Sequence, residues 1–235
     1  MREDELLWEE IKKSVHQSDY EQLKSQEFIH LGWHTNYVFR KDIKHLAFTL
    51  SRYKFVSKLL LYREKIKICE LGCNEALGAL MFEQDLDLEK FVGIDFDKDS
   101  IMWNKKYLEK PTIEFQCANF FGDLHLDLKF DAVINLDVIE HIDKNREDEF
   151  CKIIQRLLTE DGVAIVGTPS IAMTPYASEE SKMGHVNLFD QKRLHDLMSK
   201  YFKNVFIFNM NDEVVHTGFS PMSCYIFAVC TGVKC

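Results

Sequence analysis

From Lys65 onward, short runs rich in β-branched and aromatic residues alternate with stretches whose apolar positions recur every three or four residues. The runs Ile66–Leu71, Phe91–Asp95, Thr112–Cys117, Phe130–Leu136 and Val163–Gly167 read as strands. Glu75–Gln84, Asp99–Glu109, Glu147–Leu158 and Gln191–Lys200 read as helices. Such alternation predicts a doubly wound, mostly parallel sheet with helices on both faces. Asn204–Phe208 and Cys224–Cys230 have no helix between them, so they are expected to pair antiparallel at the sheet edge and complete seven strands.

Upstream, the pattern is helical. Leu6, Leu7, Ile11 and Val15 share a face of an expected helix over Glu5–Val15. Ile43, Leu46, Ala47, Leu50, Tyr53, Val56, Leu59 and Leu60 form one stripe of a helix over Ile43–Leu61. Between them, His30–His34 and Tyr37–Arg40 read as an irregular connection. No repeat or low-complexity linker is visible, so residues 1–62 read as a helical cap on the same domain as residues 63–235.

Composition narrows the classes. A chain of 235 residues has room for one sizeable core. Its formal net charge of −9 argues against nucleic acid as a substrate, which calls for Lys and Arg against phosphates. The charged start, Met1-Arg-Glu-Asp-Glu, gives no expectation of a signal peptide, and no apolar run suggests a membrane span. Seven cysteines without a Cys-x-x-Cys pair, mostly in expected strands, point to a reducing cytoplasm.

The turn after the first strand carries the binding signal. Glu70-Leu-Gly-Cys-Asn-Glu-Ala-Leu-Gly78 leads from strand to helix, and a second strand ends at Asp95 about 20 residues on. Strand, tight loop, helix, strand, acid is the layout of a nucleoside site. The loop lacks Gly-x-Gly-x-x-Gly, so it is not shaped for a pyrophosphate, and the inferred ligand is S-adenosylmethionine (SAM) rather than a dinucleotide. Gly72 lets backbone approach the ligand, and Asn74 tolerates left-handed geometry where a second glycine is common. Gly78 allows close helix packing. Asp95 is placed to accept from both ribose hydroxyls, Phe96 to lie on adenine, Asn119 to bond its amino group, and Leu136 to line the same pocket. Glu70 sets negative charge near the ammonium and sulfonium. The plainer alternative is a tight turn at Gly72 and Gly78 with Asp95 as a helix cap.

These segments, with Gly93-Ile-Asp95, Phe130 to Ile142 and Asp161 to Pro169, resemble the successive motifs of class I SAM-dependent methyltransferases over residues 65–230. The resemblance implies a Rossmann-like fold and SAM as cofactor. His45–Val56, Gly184–Leu188 and Asn209–Gly218 resemble a bacterial subgroup found in capsule and surface-glycan clusters, including ones making methylated phosphoramidates. That implies a small polar or anionic acceptor: a sugar, a nucleotide-linked precursor or a phosphoramidate.

Asp137-Val-Ile-Glu-His141 follows the fourth strand. In a helical turn, Asp137, Glu140 and His141 share a face. Two carboxylates and an imidazole suit Mg²⁺, Mn²⁺ or Fe²⁺, with His185 as a fourth ligand. The pattern is similar to the metal site of small-RNA 2′-O-methyltransferases, which carry Glu where Asp137 stands. In that reading Glu140, His141 and His185 are also the catalytic candidates. The alternative is a metal-free site where His141 lines the pocket or acts as base. N-methylation of a small amine, a dehydrogenase and a non-catalytic SAM-binding subunit stay open as rivals. His216, His30, Trp33, His34, Tyr37, Arg40, Arg52, Tyr176 and Ser178 are second-tier candidates, and the acid run Glu147–Glu149 reads as a solvated helix start.

Overall fold

Eight strands form one mixed sheet in the order β3-β2-β1-β4-β5-β8-β6-β7 in the computed structural model. The structure describes Leu6, Glu10 and residues 30–122 and 124–234. The chain divides into two compact units, Met1–Leu31 and Gly32–Cys235. The expected helix Glu5–Val15 lies, except for Leu6 and Glu10, outside the described residues.

In chain order the second unit runs α1 (Trp33–Lys41), α2 (Ile43–Leu60), β1 (Ile66–Leu71), α3 (Leu77–Asp85), β2 (Leu88–Asp95), α4 (Lys98–Tyr107), β3 (Ile113–Cys117) and β4 (Phe130–Leu136). It continues with α5 (Glu147–Leu157), β5 (Leu158–Pro169), α6 (Glu179–Gly184), α7 (Gln191–Met198), β6 (Phe202–Asn211), β7 (Val214–His216) and β8 (Tyr225–Val233). Strands β1 to β5 are parallel neighbours. β8 lies between β5 and β6 and is antiparallel to both.

The core fills both faces of the sheet. Tyr53, Val56 and Leu60 of α2 pack with Ala79 and Phe82 of α3 against Ile66, Ile68 and Phe91. Phe150 and Ile154 of α5 and Leu194 and Met198 of α7 pack with Cys69, Val133 and Ala164. Burial on two faces explains why these strands read as nearly continuous apolar runs.

Three expectations are corrected. The sheet has eight strands because Val214–His216 folds back on β6 after a turn in which Asp212 is left-handed (φ 49°). The segment read as irregular is helix α1, whose first N–H groups are held by a side chain 40 residues away, invisible to local pattern. Helix α3 begins at Leu77 rather than Glu75, because left-handed Ala76 precedes it.

The fold places two strand ends side by side. From β1 the chain moves outward to β2 and β3, then returns to β4 on the other side of β1. The crevice beyond the carboxyl ends of β1 and β4 is the switch point, where open α/β sheets bind ligands.

Candidate active site

The loop after β1 passes through three left-handed residues: Gly72 (φ 82°), Asn74 (φ 43°) and Ala76 (φ 53°). A Cβ on Gly72 would stand 2.1 Å from Val138 Cγ2, so position and conformation both select glycine. The end of β2 straps the loop down. Asp95 Oδ2 accepts from Asn74 N at 2.9 Å, and its Oδ1 accepts from Asp97 N at 2.9 Å. Asn104 Nδ2 donates to Asn74 O at 2.6 Å.

Beneath the loop, Gly78 packs so closely that a Cβ would lie 2.6 Å from the Tyr53 ring. Tyr53 donates its hydroxyl proton to Glu70 Oε1 at 2.8 Å. Burial pushes the Glu70 pKa up to about 8, which favours its protonated form. Burial thus works against the negative charge expected of Glu70, and Glu70 is not among the residues lining the cavity.

Glu75 was not singled out by pattern. Its two oxygens accept from His34 N and Thr35 N, each at 2.7 Å. These are orphan donors at the start of α1, so an acid in the loop caps a helix of the N-terminal region.

A cavity of 640 Å³ opens at the switch point. Gly72 to Leu77 and Leu136 form its floor beside the strand ends. His45, Phe48, Thr49 and Arg52 face it from α2. The segment Pro169 to Leu188 closes the remaining side, with Met173, Tyr176 and His185 on the lining. Asp95, Phe96 and Asn119 do not line it. They stand on the β2–β3 side, joined to the cavity through Asn74, and Phe96 is 76% exposed. Asn119 Oδ1 accepts from Phe121 N at 3.0 Å.

The turn after β4 departs from the expected helix. Asp137 is left-handed (φ 57°), and only Ile139–His141 form a single 3-10 turn. Asp137 is drawn instead to Arg52, whose Nη1 donates to Oδ2 at 2.6 Å. The remaining three expected ligands converge: donor atoms of Glu140, His141 and His185 all lie within 4.8 Å of one another.

Each of the three is oriented. Glu140 is fully buried; Thr168 donates to its Oε2 at 2.9 Å, and its Oε1 has no hydrogen-bond partner. Burial, with Asp137 as the next cause, raises its pKa to about 8. His141 Nδ1 lies 2.9 Å from Gly184 O. A carbonyl only accepts, so Nδ1 carries a proton, and the tautomer this bond selects in a neutral ring has its lone pair on Nε2. The His185 ring meets the His141 ring edge-on at 5.0 Å, and burial lowers the His185 pKa, which favours its neutral form. Asn187 N donates to Glu140 O at 2.9 Å, and Arg193 bonds both Asn187 and Glu147, so the His185 segment is pinned to the turn. Glu147 is thus more than a solvated helix start.

The other candidates scatter. Trp33, Tyr37 and Arg40 line a separate shallow cleft on α1, while His34 lines the main cavity. Ser178 caps α6 by accepting from Ser181 N. His216 sits on β7, accepting at Nδ1 from Gly218 N, and is not on the cavity lining. His30 belongs to the first unit.

Residues 69–166 match a family model described as a methyltransferase domain. Over that stretch, which is less than half of its length, the chain is similar to methyltransferase domains. An uncharacterised protein of Rickettsia prowazekii (strain Madrid E) is 23% identical over 154 residues, 60% of this chain and 62% of that protein. The mitochondrial ubiquinone biosynthesis O-methyltransferase of Arabidopsis thaliana is 29% identical over 120 residues, 49% of this chain and 36% of that protein. The chain thus spans less than two thirds of the length of either curated relative. The N-methyltransferase NodS from Bradyrhizobium japonicum WM9, solved with S-adenosyl-L-homocysteine (SAH), superposes with a TM-score of 0.61 at 13% identity. That match covers 79% of this chain and 87% of NodS, and it establishes a Rossmann-like methyltransferase fold. Among the described residues, no helix is long and apolar enough to cross a membrane.

Proposed function

We propose that this protein is a SAM-dependent methyltransferase that methylates an oxygen of a small polar acceptor. The methyltransferase-domain match and the SAH-bound structural neighbour support the cofactor. The observation that carries the oxygen reading is the convergence of Glu140, His141 and His185 on the wall of the cavity that the β1 loop floors. An amine needs little beyond alignment with the methyl, whereas a hydroxyl needs its proton removed.

In this reading Asp95 takes the ribose hydroxyls, Phe96 and Asn119 take adenine, and Gly72, Asn74 and Leu136 line the methionine end. The acceptor lies between α2 and the Pro169–Leu188 segment. His141 Nε2, held as an acceptor by the bond from Nδ1 to Gly184 O, takes the hydroxyl proton as oxygen attacks the methyl in line.

The same three residues fit a divalent ion. A carboxyl group with an unpartnered buried oxygen, which an ion would have to deprotonate, and two imidazoles form a set suited to Mn²⁺ or Fe²⁺ with open positions. Such an ion would occupy His141 Nε2 in place of its role as base, and would itself lower the pKa of an acceptor hydroxyl. Asp137 is engaged by Arg52 and is left out of this set. The similarity of the outer motifs to the capsule-cluster subgroup favours a sugar, nucleotide-linked precursor or phosphoramidate as acceptor, in the cytoplasm. Within the second unit, helices α1 and α2 then act as the helical cap of the methyltransferase domain that spans 63–235.

The test is turnover with and without chelator, in the wild type and in His185→Ala. Loss of about 100-fold or more in both arms is expected. Activity indifferent to both would refute the assignment.

A further inference from the structure

The charge balance along the cavity wall indicates what kind of acceptor it takes, given the methyl-acceptor reading of that cavity. Two of its carboxyl groups are fully engaged and the third is buried. Asp137 is paired with Arg52 at 2.6 Å. Glu75 accepts two backbone N–H groups of α1. Glu140 is buried against Thr168.

The groups of opposite sign are less occupied. Of the five N–H donors of Arg52, Asp137 takes one through Nη1, and Nε has no hydrogen-bond partner. His45, two turns earlier on α2, and His34 on α1 line the same cavity. Lys182 lines it too, paired with an exposed Glu179, a surface contact of little worth. The lining carries both signs, Arg52 and Lys182 against Glu75, Asp137 and Glu140, but Asp137 and Glu75 are occupied by protein donors while Arg52 keeps unused N–H groups beside the His45 and His34 imidazoles.

Arg52 is also held in place. Its guanidinium carbon lies 4.1 Å from the centre of the Tyr225 ring, which fixes the plane, and Asp137 anchors one end. A planar fork so fixed matches a carboxylate or phosphoryl group through two parallel bonds.

We propose that the acceptor carries an oxyanion, phosphoryl or carboxylate, held by Arg52 with His45 and His34 beside it. The carboxylate of the methyl donor itself is the competing source of such a group, and the experiment separates the two. The full chain, saturated with SAH and kept in chelator, is titrated calorimetrically with inorganic phosphate, with acetate, and with acetamide as the neutral control.

Saturable phosphate or acetate binding is expected, with none for acetamide. Arg52→Gln should weaken it about tenfold or more, the loss of a charge-assisted contact, and His45→Gln more mildly. Removing Arg52 alone strands Asp137, so the double variant Arg52→Gln/Asp137→Asn, with unchanged SAH affinity as its fold control, carries the same expectation. The proposal is overturned if neither anion binds, if the double variant binds them as the wild type does, or if they bind only without SAH. In the last case Arg52 serves the cofactor. Failure of SAH to bind at all overturns instead the reading of the cavity on which the proposal rests.

Discussion

Replacing Glu140 by Gln removes a proton that the fold holds against its usual tendency. The Glu140 pKa is raised from 4.5 to about 8, chiefly by burial, and Glu70 is raised to the same value by the same cause. Between those limits the unfolded chain has ionised each group while the folded chain keeps it protonated. Stability is therefore fully present below the unfolded pKa and falls as pH rises towards 8, by about 1.4 kcal/mol per pH unit for each group. The two together give a slope of about −2.7 kcal/mol per unit across the mildly acid to neutral range, and Glu140→Gln should halve it. At pH 7, about 2.5 units above 4.5, the substitution relieves roughly 3.4 kcal/mol. An amide with one unpaired group returns about 1 kcal/mol of cost, leaving the variant more stable by about 2 kcal/mol. At pH 4.5 the relief vanishes, while turnover at neutral pH should fall about 100-fold. Urea unfolding at a series of pH values measures the slope. Equal slopes for variant and wild type would refute the claim that Glu140 is buried as a neutral acid.

Two further outcomes follow from packing and capping. Glu75→Ala should cost about 2 kcal/mol of stability by removing two charge-assisted bonds. Faster hydrogen exchange at the His34 and Thr35 amides is the specific sign, and unchanged exchange there would contradict the capping role. Gly78→Ala places a methyl 2.6 Å from the buried Tyr53 ring and should cost about 1–3 kcal/mol in a thermal melt. A variant as stable as the wild type would show that the α2–α3 contact is looser than described.

What the sequence made legible was what local pattern encodes. Five parallel strands were recoverable because each is a short apolar run bounded by polar turns, and their ends fixed the switch point near Gly72 and Asp95. Asn74 was readable as a left-handed residue because few side chains tolerate that region. Contacts made across long stretches of chain were not readable. Nothing near Trp33 foretells helix α1, since its N-terminus is capped by Glu75. The α2 stripe was read from its apolar positions, yet His45, Thr49 and Arg52, at i, i+4 and i+7, are what face the cavity. Their polar character at helical spacing was the available signal. Asp137 was grouped with Glu140 and His141 by counting residues, and an arginine 85 positions earlier takes it elsewhere.

The central claim is that the β1 loop and Asp95 hold SAM. Calorimetric titration of SAM and of a nicotinamide dinucleotide into the wild type and Asp95→Ala tests it directly. Single-site SAM binding, weakened about tenfold or more in the variant by loss of charged hydrogen bonds to the ribose, and no dinucleotide binding are predicted. Dinucleotide binding without SAM binding would contradict it.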